Sequence, residues 1–132
     1  MKKRQVVITG AGACGLMAAI MAARNGAAVT VLEQNEKPGK KICATGNGRC
    51  NFSNLARPDA AYRGEHPEFV EDALREFSVE DTIDFFKEIG IYPLNRNGYL
   101  YPRSNQAQSV VDVLCMEAAS LGVKIKTNEQ VT

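Results

Sequence analysis

Three glycines near the amino terminus follow a short apolar run at a spacing that suits phosphate binding. Residues 6–9 read Val-Val-Ile-Thr, and Gly10, Gly12 and Gly15 come directly after them as Gly-x-Gly-x-x-Gly. The first glycine permits a tight turn, the second lets a phosphate approach the backbone, and the third lets a helix pack close to the strand. The N–H groups at the start of that helix then face the phosphates. The pattern predicts a binding site for the diphosphate of a nucleotide.

An acidic residue follows the next apolar run. Glu33 comes directly after residues 29–32, about 20 residues beyond the glycines, as the dinucleotide fingerprint requires. A carboxylate at this place accepts hydrogen bonds from ribose hydroxyls and repels a 2′-phosphate, so Glu33 favours FAD or NAD over NADP. The alternative is a solvated charge at the end of a strand. We place the neighbouring Gln34 at the same site.

The elements that position these residues follow the order strand, helix, strand. We expect a strand over residues 6–9 and a helix over residues 14–25, closed by a glycine. A second strand is expected over residues 28–32. The stretch 34–63 begins at the cofactor edge of that strand, and we interpret it as a functional loop because loops of this length are usually functional or disordered.

Two helices are predicted after this loop. The first opens at His66, with Pro67 at its first position, and carries an apolar stripe formed by Phe69, Val70, Ala73, Leu74 and Phe77. The second begins with a capping box of Ser78 and Asp81 and carries an apolar stripe formed by Ile83, Phe86 and Ile89. Both stripes are expected to be packing surfaces.

The sequence of the last third of the chain predicts a hairpin, a helix and a strand. Asn97-Gly98 is a hairpin signal between two arms that contain apolar and aromatic residues. We expect the next helix to be capped by Ser104 or Asn105 and to bury one face, formed by Val110, Val113, Leu114 and Ala118. Residues 123–126 are the predicted third strand.

Together these elements predict an α/β fold. We expect a Rossmann-like βαβ unit whose parallel sheet has the strand order three-two-one, because crossovers between parallel strands are right-handed. A helical and hairpin insertion over about residues 34–104 interrupts this unit. The cofactor is expected to lie over the carboxyl ends of the strands.

Composition limits the classes of partner. The chain has 132 residues, of which 45% are hydrophobic and 23% charged, as in ordinary soluble globular domains. The net charge of +1 gives no indication of a nucleic-acid or membrane partner. One loop is basic, but no aromatic residues interleave with its charges, so cofactor phosphates are favoured over an RNA surface for Lys37, Lys40, Lys41 and Arg49.

The cysteines and the amino terminus indicate the cellular compartment that we expect for the chain. No Cys-x-x-Cys pair occurs and no histidine lies near the four cysteines, so no metal site is predicted and free thiols in a reducing cytoplasm are expected. A secretory signal peptide is the alternative for the basic and apolar start. The three glycines interrupt that apolar stretch and favour the nucleotide fingerprint.

A second motif gives the chain a family resemblance. Gly39-Lys40-Lys41 is followed by a Thr-Gly-Asn-Gly-Arg-Cys-Asn loop over residues 45–51 and by Asn-Gly-Tyr-Leu-Tyr-Pro-Arg-Ser over residues 97–104. With the glycine fingerprint, these motifs resemble the BaiN-like family of FAD-dependent flavoproteins, also called the aminoacetone oxidase family of NAD(P)/FAD-dependent oxidoreductases. Members are about three times longer, so the resemblance implies the N-terminal part of an FAD-binding domain, without the substrate domain.

The resemblance also implies roles for individual residues. The pyrophosphate of FAD would lie at the glycine turn, formed by Gly10, Gly12, Ala13, Cys14 and Gly15. The adenosine ribose, its phosphates and the adenine would lie against Glu33, Gln34, Lys41 and the backbone of Val131. The ribityl chain and flavin ring would lie against the second loop, at Gly46, Gly48, Arg49, Cys50 and Asn51.

The resulting hypothesis is a flavin-dependent oxidoreductase. It would act on a small organic substrate, with NAD(P)H or oxygen as the second redox partner. The flavin carries the redox chemistry, which fits the lack of a convincing catalytic side chain. His66 is the only histidine, and we interpret it as a loop residue. A NAD-dependent dehydrogenase and a non-catalytic nucleotide-binding module are the alternatives.

Overall fold

The structure is a computed structural model that describes residues 3–55 and 61–132. Eleven helices and strands are seen in these ranges, together with a 3₁₀ turn over Thr45–Gly48. In chain order they are β1 (Gln5–Thr9), α1 (Ala13–Arg24), β2 (Ala28–Leu32), α2 (Lys40–Ala44), β3 (Ser53–Asn54), α3 (Phe69–Glu76), α4 (Val79–Glu88), β4 (Pro93–Arg96), β5 (Tyr99–Pro102), α5 (Ala107–Ser120) and β6 (Lys124–Lys126).

The first sheet is parallel, with the strand order β1-β2-β6. Val6 lies opposite Val29, and Val31 lies between Ile8 and Ile125. The predicted Rossmann-like fold and the order three-two-one are therefore confirmed. All three strands end at the same edge of the sheet, which is where nucleotide sites form in this class of fold.

The third glycine of the fingerprint brings α1 against the sheet. A Cβ at Gly15 would overlap the carbonyl oxygen of Gly10. The face of α1 that follows is fully buried, at Leu16, Ala19 and Ile20. Gly15 is therefore required by the packing of α1 on β1, as the spacing predicts.

Helix α5 forms the other major packing surface of the core. Its buried residues are Ala107, Val110, Val111, Leu114 and Ala118. Val113, predicted to be buried, is only partly buried. Gly39 is buried against this helix, and a Cβ there would lie 2.5 Å from Cγ2 of Val111. This close approach fixes the start of α2 beside α5.

A second, antiparallel sheet lies between β2 and α5 in the chain, with the order β3-β5-β4. The predicted hairpin is confirmed: Asn97 and Gly98 have φ of 52° and 90°, and Asn95 Oδ1 accepts a hydrogen bond from Gly98 N. The predicted capping box of α4 is also present, with Ser78 Oγ accepting a hydrogen bond from Asp81 N at 3.0 Å.

An arginine joins the insertion to the parallel-sheet unit. Arg24, at the end of α1, donates from Nε and Nη2 to Glu117 on α5 and forms an ion pair with Glu88 on α4 at 3.1 Å. Its guanidinium also lies 5.5 Å from the ring centroid of Phe85. Three helices therefore converge on one side chain.

Four local predictions are wrong in part. The stretch 34–63 is not one loop, because it contains α2, the 3₁₀ turn and β3, all too short to show a hydrophobic period. Helix α3 begins at Phe69 rather than at Pro67. The first turn of α5 has no side-chain cap, because Ser104 Oγ forms a hydrogen bond with Ser109 Oγ instead. The stripe of α3 is not a packing surface within the described residues, where none of its side chains is buried and Phe69 is 83% exposed.

In the described part of the chain both edge strands of the parallel sheet, β1 and β6, pair only with β2. Val7 of β1, on the face of the sheet away from α1, is 65% exposed. None of the described helices is long and apolar enough to cross a membrane.

We predict that Gly15→Ala destabilises the protein by about 3 kcal/mol, because the new methyl group must displace either α1 or the backbone of Gly10. Gly12→Ala is the matched control. No atom lies within 4 Å of a Cβ at Gly12 and its φ is −84°, so only a capping cost of about 1 kcal/mol or less is expected. Urea unfolding measures both values. Equal losses in the two variants would contradict the packing role of Gly15.

Candidate functional site

A cleft of about 770 Å³ opens at the carboxyl ends of the parallel strands. Its walls come from the glycine turn after β1, the segment after β2, the start of α2 and the segment after β6. The lining residues are Thr9, Gly10, Ala11, Gly12, Leu32, Glu33, Gln34, Asn35, Gly39, Lys40, Lys41, Ala44, Glu129 and Val131. Small-molecule and cofactor sites have volumes of this order.

The glycine turn leaves the backbone open to close approach. Gly10 has a φ of 90° and its N–H donates to the carbonyl of Leu32 at 2.7 Å, which ties the turn to the end of β2. Gly12 has a φ that any residue adopts, and a Cβ there would contact no atom within 4 Å. The fold itself therefore does not require glycine at position 12, whereas a ligand lying against the backbone would.

The first turn of α1 carries backbone donors. The first helical hydrogen bond runs from Leu16 N to Gly12 O at 2.9 Å, so the N–H groups before Leu16 lie outside the helical ladder. Ala13 and Cys14, both exposed, belong to this turn. These donors and the positive end of the helix dipole suit an anionic group such as a pyrophosphate.

Glu33 is the buried acid of the cleft. Only 6% of the residue is exposed. Oε2 accepts a hydrogen bond from Ala11 N at 2.7 Å, and Oε1 accepts from the backbone N and Nδ2 of Asn35 at 2.8 and 2.6 Å. The alternative of a solvated charge at the end of a strand is therefore wrong. The N–H groups of Asn35 and Ala11 hold the pKa of the Glu33 carboxyl below its usual value, against the opposing effect of burial.

The start of α2 contributes basic side chains to the cleft. Gly39 N donates to the carbonyl of Ala11 at 2.8 Å, which fixes α2 beside the glycine turn. Lys40 and Lys41, both exposed, then line the cleft from the first turn of α2. The Gly-Lys-Lys motif thus places two cations on the same cleft as the turn, where they complement the charge of a diphosphate.

The segment after β6 closes the cleft through backbone contacts. Glu33 N donates to the carbonyl of Lys126 at 2.8 Å, and Glu129 N donates to the carbonyl of Glu33 at 2.9 Å. Asn128, with a φ of 58°, donates from its N–H to the carbonyl of Asn35 at 3.1 Å. These bonds place Glu129 and Val131 in the lining of the cleft. The sequence predicted Val131 as a site residue but not Glu129.

The second loop has a conformation dominated by positive φ. Gly46, Asn47, Gly48 and Cys50 have φ of 56°, 54°, 78° and 59°. A Cβ at Gly46 would lie 2.7 Å from the backbone N of Asn51 and 3.2 Å from the Tyr101 ring, so no larger residue fits there without a shift. Strained backbone of this kind persists only where surrounding contacts impose it, and it is common at functional sites.

Side chains attach this loop to the second sheet. Asn51 Nδ2 donates to the carbonyls of Ser53 and Leu100, each at 3.0 Å. Burial raises the pKa of the Cys50 thiol, which favours an inert, protonated sulfur over a nucleophile. Arg49 is partly buried. The loop follows directly from α2 but does not line the cleft.

The predicted site residues therefore fall into three groups. Six of them share the cleft: Gly10, Gly12, Glu33, Gln34, Lys41 and Val131. Three belong to the adjacent first turn of α1, namely Ala13, Cys14 and Gly15, and the last of these serves packing. The remaining five form the second loop: Gly46, Gly48, Arg49, Cys50 and Asn51.

The other chemically active residues lie apart. His66 is exposed and its ring lies 3.1 Å from a carboxylate oxygen of Glu68. The cysteines Cys14, Cys43, Cys50 and Cys115 are free thiols, as predicted. Within residues 3–55 and 61–132 no three His, Cys, Asp or Glu side chains cluster in a way that could hold a metal ion.

We predict that the Glu33 carboxylate makes stability depend on pH. The pKa of Glu33 is lowered in the folded state. Its contribution to the free energy of unfolding is therefore complete above the pKa of an unfolded glutamate, about 4.3. That contribution is lost as the pH falls through the pKa of the folded state. Glu33→Gln should cost about 2 kcal/mol at pH 7 and flatten the fall between about pH 5 and pH 3. Urea unfolding measures this, with Glu36→Gln, at an exposed position, as control. Parallel pH profiles for wild type and Glu33→Gln would contradict it.

Comparisons with known proteins agree with this geometry. The family model for the HI0933-like protein Rossmann domain matches residues 4–132. The chain is 48% identical over 129 residues to a 3-dehydro-bile acid delta(4,6)-reductase of Clostridium scindens, across 96% of this chain and 32% of that protein. It is 34% identical over 132 residues to a ribosomal RNA dihydrouridine synthase of Escherichia coli, across 99% of this chain and 33% of that protein.

A solved structure has the same fold. The 3-ketosteroid-delta4-(5alpha)-dehydrogenase from Rhodococcus jostii RHA1 matches with a TM-score of 0.66 at 17% identity, across 97% of this chain and 38% of that chain. The chain spans about a third of the length of the two relatives above. Because the name of one of them refers to ribosomal RNA, the absence of a nucleic-acid partner stays a prediction. The predicted family resemblance is confirmed, and this chain belongs to the HI0933-like proteins, whose Rossmann domain it matches over residues 4–132.

Proposed function

We propose that this chain binds FAD and forms the nucleotide-binding part of a flavin-dependent oxidoreductase. The observation that carries the proposal is the convergence of three features on one cleft. Gly12 leaves open space against the backbone, α1 begins directly after it with N–H groups outside the helical ladder, and the ionised carboxylate of Glu33 lies 2.7 Å from Ala11 N in the same turn.

The chemistry of the cleft matches the adenosine diphosphate half of FAD. The diphosphate would bind the first turn of α1, with Lys40 and Lys41 lining the same cleft from α2. The ribose would donate a hydroxyl hydrogen bond to Glu33, whose negative charge disfavours a 2′-phosphate. The adenine would lie toward the backbone of Val131, which lines the same cleft.

The second loop is proposed to meet the ribityl chain and the flavin ring. It follows directly from α2, and the hydrogen bonds of Asn51 to the carbonyls of Ser53 and Leu100 attach it to the second sheet. FAD, when bound, would supply the redox chemistry. The residues of this chain would bind and orient it. We further propose a small organic substrate and NAD(P)H or oxygen as the second redox partner, and the naming of one relative as a reductase supports redox activity.

NAD is the competing ligand. The cleft and Glu33 suit NAD as well as FAD, so a NAD-dependent dehydrogenase or a non-catalytic nucleotide-binding module would use the same residues. The second loop favours FAD, because its constrained glycines at positions 46 and 48 belong to the motif shared with FAD-dependent flavoproteins.

We predict that the purified full-length protein carries FAD, which a chemical reductant bleaches. Gly12→Ala should weaken FAD binding by about 100-fold, since a methyl group enters the space of the diphosphate, while its unfolding free energy stays close to that of wild type. Absorption spectra and calorimetric titration of the apo-protein with FAD and NAD measure both effects. A colourless protein that binds neither flavin nor NAD would refute the proposal, and preferential binding of NAD would favour the dehydrogenase.

A further inference from the structure

Asn35 makes two hydrogen bonds to the acid of the cleft. Its backbone N and its Nδ2 both donate to Oε1 of Glu33, at 2.8 and 2.6 Å. Asn35 is partly buried and lines the cleft itself. Its neighbours Gln34 and Glu36 are exposed, so Asn35 alone in this segment packs inward against the carboxylate.

These contacts fix the orientation of the Glu33 carboxylate. A carboxylate oxygen accepts about two hydrogen bonds, and Asn35 supplies two to Oε1. Ala11 N supplies one to Oε2. The backbone N–H of Gln34 also favours the charged carboxylate. The rotation of the carboxylate is therefore fixed from both ends, and Asn35 holds the oxygen opposite the one that Ala11 contacts.

Asn35 also connects the carboxylate to the wall of the cleft that the segment after β6 forms. Its carbonyl accepts a hydrogen bond from Asn128 N, next to the bond between Glu129 N and the carbonyl of Glu33. One residue thus contacts the carboxylate through its donors and the segment after β6 through its acceptor. A shift of Asn35 would therefore displace both the Glu33 carboxylate and the segment after β6, which carries Val131.

We propose that Asn35 is a positioning residue that sets the preference of this cleft for a free ribose 2′-hydroxyl over a 2′-phosphate. It does so by holding the Glu33 carboxylate in place beside the glycine turn. The inference rests on the proposed nucleotide function and adds to it a determinant outside the glycine fingerprint.

Removing the side-chain donor has opposite effects on the two ligands. In Asn35→Ala the carboxylate loses the hydrogen bond from Nδ2, while the backbone donors of residue 35 and Ala11 remain, so the carboxylate is held less firmly beside the turn. A 2′-hydroxyl then meets a less well placed acceptor, whereas a 2′-phosphate is repelled less. A residue with a purely structural role would weaken binding of both ligands by the same factor.

The test measures the affinities of ADP and of ADP with a 2′-phosphate for the full-length apo-protein by calorimetric titration. Wild type should prefer ADP, and Asn35→Ala should reduce that preference by about tenfold. The Asn35→Ala substitution should also raise the pH below which the affinity for ADP falls. The reason is that the Glu33 carboxyl loses a hydrogen-bond donor that favours its charged form. Asn35→Ser, whose short hydroxyl can still donate to the carboxylate, should restore part of the preference.

Asn25→Ala is the matched control. Asn25 Nδ2 donates one hydrogen bond, to the carbonyl of Met21 at 2.8 Å, at the end of α1 that is remote from the cleft. This control should leave the ADP preference unchanged. An unchanged preference and pH midpoint in Asn35→Ala and Asn35→Ser would overturn the inference and leave the proposed function standing. A wild-type protein that binds neither ADP nor FAD would overturn the proposed function and this inference with it.

Discussion

The hydrogen bond from Ala11 N to Glu33 Oε2 is the contact on which the cleft depends. It spans 2.7 Å between residues 22 positions apart and joins the turn after β1 to the end of β2. An ionised carboxylate with 6% of its residue exposed is costly unless donors satisfy it, and here the N–H groups of Ala11 and Asn35 do so. Donors of the protein itself therefore hold the acid in place, and the fold satisfies its charge.

The rest of the cleft is attached to this contact by backbone bonds. Gly39 N reaches the carbonyl of Ala11 and positions the two lysines, while Glu129 N reaches the carbonyl of Glu33 and positions the segment after β6. A negative charge thus lies at one side of the cleft and positive charges at another. A nucleotide offers the matching pattern, with hydroxyl donors on its ribose and anionic oxygens on its diphosphate.

Much of this arrangement follows from local sequence rules. The glycine spacing predicts the turn and the close approach of α1, and the packing of Gly15 confirms it. The distance to Glu33 predicts an acid at the same edge of the sheet. The hairpin at Asn97-Gly98 and the capping box at Ser78 are local as well, because their hydrogen bonds join residues three positions apart.

The features that sequence reasoning missed have more than one physical origin. Glu129 lines the cleft because the chain returns beside β2 after nearly a hundred residues, which no short pattern encodes. The hydrogen bonds of Asn35 to Glu33 span only two positions, but they depend on the direction of the Glu33 side chain in the fold. Helix α2 has five residues, too few for a hydrophobic period. The apolar stripe of α3 shows the other limit, since periodicity predicts which face is apolar but not what covers it.

The most direct test of the central claim compares ADP with 2′-deoxy-ADP in the full-length apo-protein, for wild type and for Glu33→Gln. If the carboxylate holds the ribose, loss of the hydroxyl costs wild type about 2 kcal/mol of binding free energy, as expected for a hydrogen bond to a charged group, and costs the variant little. An equal cost in the two proteins would show that Glu33 does not hold the 2′-hydroxyl and would contradict the account.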